Sequence, residues 1–130
     1  MKIGLLAYHS VCNFGAMLQL LSTYMFLKNH GHEPVVINWV AKDLEEYYVQ
    51  NTPISQIENQ KKLRLKLWKE TCLCHTIKDV ANIISTEHIE AVIIGSDAVA
   101  QHHTLFERIV FPCRNIVAIN SVTSDVVFPN

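Results

Sequence analysis

The first forty residues constrain the fold more than any other stretch of the chain. Ile3 to Tyr8 is a short apolar run of β-forming character, and His9-Ser10-Val11-Cys12-Asn13 interrupts it with polar side chains. From Gly15 to about Asn29 the spacing predicts a helix, since Phe14, Met17, Leu18, Leu21 and Met25 recur at three- and four-residue intervals. Asn13 stands where an N-cap belongs, and His30-Gly31 supplies the C-terminal stop. Val35 to Trp39, behind Pro34, reads as a second strand. A strand, a crossover helix and a second strand form a unit that only a parallel pair accommodates, because antiparallel neighbours need no such long connection.

The predicted helix has an unusual surface. Leu20, Tyr24 and Leu27 lie off its main apolar stripe, leaving Gln19, Ser22, Thr23 and Asn29 as a thin polar edge. A helix apolar nearly all round needs cover on more than one side. It packs on its own sheet and requires something further.

Past residue 40 the pattern changes. Asn51-Thr52-Pro53 marks a loop, and Lys61, Lys62, Arg64, Lys66 and Lys69 then alternate with Leu63, Leu65, Leu67 and Trp68. The run reads as a solvated amphipathic helix, with a membrane-surface or phosphate-binding role as the alternative; Glu58 and Glu70 on its flanks favour the first. Ile77 to Thr86 is a further predicted helix. Ala91-Val92-Ile93-Ile94 is a wholly apolar strand of the kind buried on both faces of a parallel sheet. It ends sharply at Gly95-Ser96-Asp97. Ile116 to Ile119 is a candidate strand, and no closing helix or strand pattern follows it. The expectation is an α/β, Rossmann-like three-layer domain with a mainly parallel sheet, one domain over residues 1–130 and the N-terminal part of something longer.

Composition removes several classes of function. At 130 residues and 49% apolar, the chain can bury about two-thirds of its unfolded surface in one core. A net charge of −1 lacks the electrostatic footprint of a nucleic-acid binder. No apolar run approaches the roughly 20 residues that span a bilayer, and no signal peptide pattern opens the chain, so a cytoplasmic location is expected. Cys12, Cys72, Cys74 and Cys113 are then thiols in a reducing compartment. Cys72-Leu73-Cys74-His75 has the wrong spacing for zinc, which separates paired cysteines by two to four residues, so no metal is expected.

Ligands of open parallel sheets bind outside the carboxyl ends of the strands. Two loops take that place here, His9 to Gly15 and Gly95 to Asp97. The first leads into a helix N-terminus, whose N–H groups favour an anion. Neither is a dinucleotide fingerprint or a P-loop, and Gly95-Ser96-Asp97 lacks the second glycine of a nucleophile elbow. His9 ends the first strand and is a candidate acid or base, although a histidine there is more often a structural hydrogen-bonder. His102-His103 is weak as a metal pair, and Asp97 is as well suited to capping a turn as to proton transfer.

These residues carry a family likeness. Lys2-Ile3-Gly4-Leu5-Leu6, Asn13-Phe14-Gly15-Ala16 with Leu18-Gln19, Leu27-Lys28 and Gly31-His32, and later Ile93-Ile94-Gly95-Ser96-Asp97 resemble the N-terminal part of the polysaccharide pyruvyl transferases. The likeness is good over residues 1–40 and 90–97 and loose elsewhere. It implies a bacterial enzyme of surface-polysaccharide biosynthesis that moves the pyruvyl unit of phosphoenolpyruvate onto a sugar, carried on a sugar nucleotide or a lipid-linked saccharide. The location implied is the cytoplasm, peripheral to the inner membrane. It also implies two Rossmann-like domains facing a cleft, similar to the glycosyltransferase-B architecture, and no cofactor beyond the donor substrate. The substrate-binding candidates are Asn13, Gly15, Gln19, Gly95, Ser96 and Asp97. Catalytic Arg and His groups belong to the family's C-terminal half, so the chain alone is expected to be inactive, completed by a C-terminal domain or a homo-oligomeric partner. Ala98 and Ala100 depart from the Gln and Trp usual in the family, pointing to a different acceptor or to lost function. The alternative is a non-catalytic remnant that serves as an interaction or dimerisation module; a small flavodoxin-like ligand binder has no motif in its favour.

Overall fold

The computed structural model describes residues 1–10, 14–40, 42–95, 116–119 and 126–127. The elements are β1 (Lys2–Leu6), α1 (Phe14–Asn29), β2 (Glu33–Val36), α2 (Lys42–Asn51), α3 (Ile54–Leu67), α4 (Ile77–Thr86), β3 (Ala91–Gly95), β4 (Ile116–Ile119) and β5 (Val126–Val127). The strands form one sheet in the order β2-β1-β3-β4-β5. β1 pairs in parallel with β2 and with β3, β3 in parallel with β4, and β5 antiparallel to β4. The protein is thus a Rossmann-like α/β domain with a mainly parallel sheet. The strand order reverses between β1 and β3, which defines the topological switch point.

The pleat sends alternate side chains to opposite faces, and each face has its own helical cover. Ile3, Leu5 and Ala7 of the first strand region pack with Val36 and Ala91 against Met17, Leu20, Tyr24 and Leu27 of α1. Leu6, Val35, Ile37, Val92 and Ile94 pack on the other face with Val80 and Ile84 of α4. Three layers result. Gly4 belongs to the α4 side, where a Cβ would stand 2.9 Å from Ile37 Cδ1 and 3.2 Å from Ile89 Cγ2, so only glycine fits without moving fully buried neighbours.

The helix ends follow from local chemistry. At the end of α1, His32 N–H donates to Leu27 O and Gly31 N–H to Lys28 O, a Schellman arrangement with Gly31 at φ 82°. α4 opens on a capping box: Asp79 N–H donates to Thr76 Oγ1 and Thr76 N–H to Asp79 Oδ2. The backbone N–H groups of Thr76 and His75 hold the Asp79 carboxyl below its ordinary range. The outer edge of β2 is occupied by the segment after α3, where Thr71 N–H donates to Val36 O and Cys74 N–H to Asn38 O, leaving fewer unpaired groups on that edge.

Three features differ from the sequence reading. The apolar stripe assigned to α1 is split by the fold: Phe14, Leu18 and Met25 are exposed, Met17 is buried and Leu21 is half-buried, while Leu20, Tyr24 and Leu27, placed off that stripe, are buried. A helix apolar all round gives no periodic signal to choose a face, and the sheet takes the side that the crossover presents. In α3 the buried residue is Arg64, whereas Leu65 is 70% exposed; the arginine is drawn in by Glu70, 3.4 Å away. The tail after Ile119 contributes β5, too short to leave a pattern in sequence.

Candidate functional site

The parallel register sets Leu6 of β1 beside Ile94 of β3, so the chain leaves both strands at the same end of the sheet, side by side. A cavity of about 40 Å³ opens there, lined by Leu6, Ala7 and Tyr8, by Gln19 and Thr23 of α1, and by Gly95. It has space for a few waters, and no charged side chain borders it among the described residues. Of the sequence candidates, Gln19 and Gly95 meet at this cavity. Gly15 lies on the exposed first turn of α1. Asn13, Ser96 and Asp97 lie outside the described residues, as do Ala98, Ala100 and His102-His103.

His9 is fully buried at the end of the first strand region. Its Nε2–H donates to Asn38 Oδ1 across 2.7 Å, and Nδ1 stands 3.3 Å from Ala7 O. Burial is the largest influence on the imidazole and holds its pKa below the ordinary value, so the ring is neutral at pH 7. Its carbonyl accepts a 3.4 Å bond from Arg64 Nη1. The Arg64 Nε, 3.4 Å from Glu70 Oε1, is buried without an aligned hydrogen bond, while Trp68 Nε1–H donates to the same carboxylate oxygen at 3.0 Å. The geometry thus gives His9 the partners of a structural hydrogen-bonder.

A second and larger cavity, about 310 Å³, lies on the other side of Tyr8, between the carboxyl ends of β1 and β2 and the helices α2 and α3. Tyr8 and Trp39 border it, their ring centroids 6.3 Å apart at 30°. Tyr48 and Glu45 of α2 and Lys61 and Arg64 of α3 close it, with Asn38 and Ser10 nearby on its lining. The two cavities share Tyr8. Sequence reasoning missed the second one. The rule that directs attention to strand carboxyl ends applies equally to β2, but α2 gave no pattern from which its cover of that end could be read.

Cys72 is exposed and Cys74 buried; burial pushes the Cys74 thiol up to about 11, so it remains protonated and unreactive. Among the described residues no three His, Cys, Asp or Glu side chains group closely enough to hold a metal, and no helix is long and apolar enough to cross a membrane. No family model matches the chain and no curated protein matches it, so the family likeness rests on the quoted motifs alone.

Proposed function

We propose that the chain is the N-terminal domain of a polysaccharide pyruvyl transferase-like protein and supplies one wall of a cleft that handles phosphoenolpyruvate and a saccharide. The observation that carries this reading is the juxtaposition of its two motifs. Phe14-Gly15-Ala16 and Gly95 are about eighty residues apart in sequence, yet the first opens the helix that follows β1 and the second ends β3, and β1 and β3 are adjacent parallel strands. The carboxyl end of that pair, at a switch point, is where open α/β sheets hold ligands.

Ketal formation requires a proton delivered to the methylene carbon, two acceptor oxygens bonded to the neighbouring carbon, and departure of phosphate. Cations must offset the phosphate and carboxylate charges. The cavity lined by Gln19 and Gly95 offers no charged side chain among the described residues, so on this reading a facing domain or partner brings the cations and the acid. The test is release of inorganic phosphate from phosphoenolpyruvate with saccharide acceptors, run on the chain alone and on the native protein from its source cells. Turnover confined to a longer native protein is expected. Ordinary turnover by the chain alone, or none by the native protein with any saccharide, overturns the proposal.

The exposed face of α1 favours one other reading, that of an interaction module. Phe14 is 70% and Phe26 60% exposed, with Leu18 and Met25 beside them, and apolar surface on this scale marks contact sites. Sedimentation separates the readings: a monomer at every concentration, binding no apolar dye, removes this one.

A further inference from the structure

The geometry points to the cavity between the carboxyl ends of β1 and β2 and helices α2 and α3 as a saccharide-binding site, with Tyr8, Trp39 and Tyr48 as its apolar walls and Glu45, Asn38 and Lys61 as its hydroxyl partners. Its volume of about 310 Å³ lies at the lower end of the roughly 300–1,000 Å³ range of small-molecule pockets, the scale of one sugar ring with a substituent.

The lining chemistry selects the class of ligand. A pyranose has an apolar C–H face and an equatorial belt of hydroxyls, each both donor and acceptor. Flat aromatic surface suits the first, and mixed donors and acceptors suit the second. The cavity supplies three aromatic rings and aliphatic side chains such as Val49 and Leu73. It also supplies a carboxylate acceptor at Glu45, amides at Asn38 and Gln60, and N–H donors at Lys61 and Arg64. A site for free phosphate needs surplus positive charge, and here that charge is answered. Glu45 borders the same cavity as Lys61 and Arg64, and Glu70 stands 3.4 Å from Arg64. The balance fits a neutral or weakly charged polyol better than a small dense anion.

Arg64 also gives the site a fixed back wall. It is 9% exposed, held by Glu70 and the His9 carbonyl, and its Nε–H lacks an aligned acceptor. Its charge is met by the Glu70 carboxylate, 3.4 Å from Nε, so the wall is fixed and electrically balanced. Because Tyr8 borders both cavities, a sugar held here lies next to the Gln19–Gly95 cavity. The biological role of that adjacency, a sugar acceptor beside a donor, rests on the pyruvyl-transfer reading; the binding itself does not.

Saturation-transfer NMR and tryptophan fluorescence on the full chain test the site, with D-glucose, D-galactose, N-acetylmannosamine and D-glucuronate as probes and inorganic phosphate as the anion control. At least one sugar should bind in the millimolar range and change the emission of Trp39. Tyr48→Ala and Glu45→Gln should each weaken it about tenfold with the circular dichroism unchanged, while Lys78→Ala on α4 leaves it alone. Two results overturn the proposal: no sugar signal from a folded chain, or a signal insensitive to both variants. Phosphate binding stronger than any sugar does the same. Sugar binding without phosphate release from phosphoenolpyruvate leaves this site standing and removes the transferase; release with a signal indifferent to Tyr48 and Glu45 does the reverse.

Discussion

His9 is the residue at which local chemistry has the widest consequences. Its ring is enclosed, bonded to Asn38, and tied through its carbonyl to Arg64, so it joins β1, the end of β2 and α3. Burial lowers its pKa from 6.5. The unfolded chain therefore takes up a proton below that value that the folded chain refuses. The sign follows: His9 favours folding fully above about pH 6.5 and progressively less as the pH falls toward its folded pKa. Denaturant titrations at about pH 7.5 and about pH 5.5 should show a stability loss on acidification, and His9→Gln should shrink that loss. An unchanged pH slope in the variant would mean that the imidazole takes up its proton equally in the folded and unfolded chains, so that burial does not perturb it. The position of His9 after the first strand was legible in sequence; its burial was not, because the Asn38 that receives it lies twenty-nine residues on.

At the scale of the element, the two Schellman ends make a matched pair. Gly31 closes α1 at φ 82°, and His88 closes α4 at φ 54°, where His88 N–H donates to Ser85 O and Ile89 N–H to Ile84 O. Ile84 and Ile89 are both buried in the same cluster, which supplies the apolar contact that accompanies this motif. The left-handed conformation costs an L-residue about 1–2 kcal/mol and glycine almost nothing. His88→Gly should therefore raise stability by about 1 kcal/mol, and Gly31→Ala should lower it by a similar amount. Thermal melts of the two variants check both signs, and a destabilised His88→Gly would assign the exposed histidine a contact that outweighs its backbone strain. The Gly31 stop was legible because glycine announces the conformation. The end of α4 at Thr86 falls where the sequence places it, but the left-handed conformation of His88 was not legible, since nothing in Thr86-Glu87-His88 announces it.

At the scale of the whole molecule, the mainly parallel sense of the sheet was legible in the apolar runs that became β1, β2 and β3, since wholly apolar strands belong to parallel sheets covered on both faces; the order β2-β1-β3-β4-β5 was not, because an apolar run does not name its neighbours. What periodicity could not supply was the choice between two apolar faces. α1 carries one stripe through Phe14, Leu18 and Met25 and another through Met17, Leu20, Tyr24 and Leu27, and the fold buries the second. The same blindness hid the second cavity, whose walls come from β1, β2, α2 and α3 and converge only once the crossovers are laid down. Alanine substitution at neighbouring positions turns that choice into a measurement. Leu20 packs with Ile3, Leu5 and Trp68, so Leu20→Ala should cost about 2–5 kcal/mol. Leu18, on the exposed stripe, should cost no more than about 0.5 kcal/mol in the isolated chain. The Leu18 value also reports on the exterior of the protein. If it rises with protein concentration, the outer face of α1 is covered by a second copy and the interaction-module reading gains; if it stays small at every concentration, that face is open in the isolated chain and is left for the facing domain that the pyruvyl-transfer reading requires.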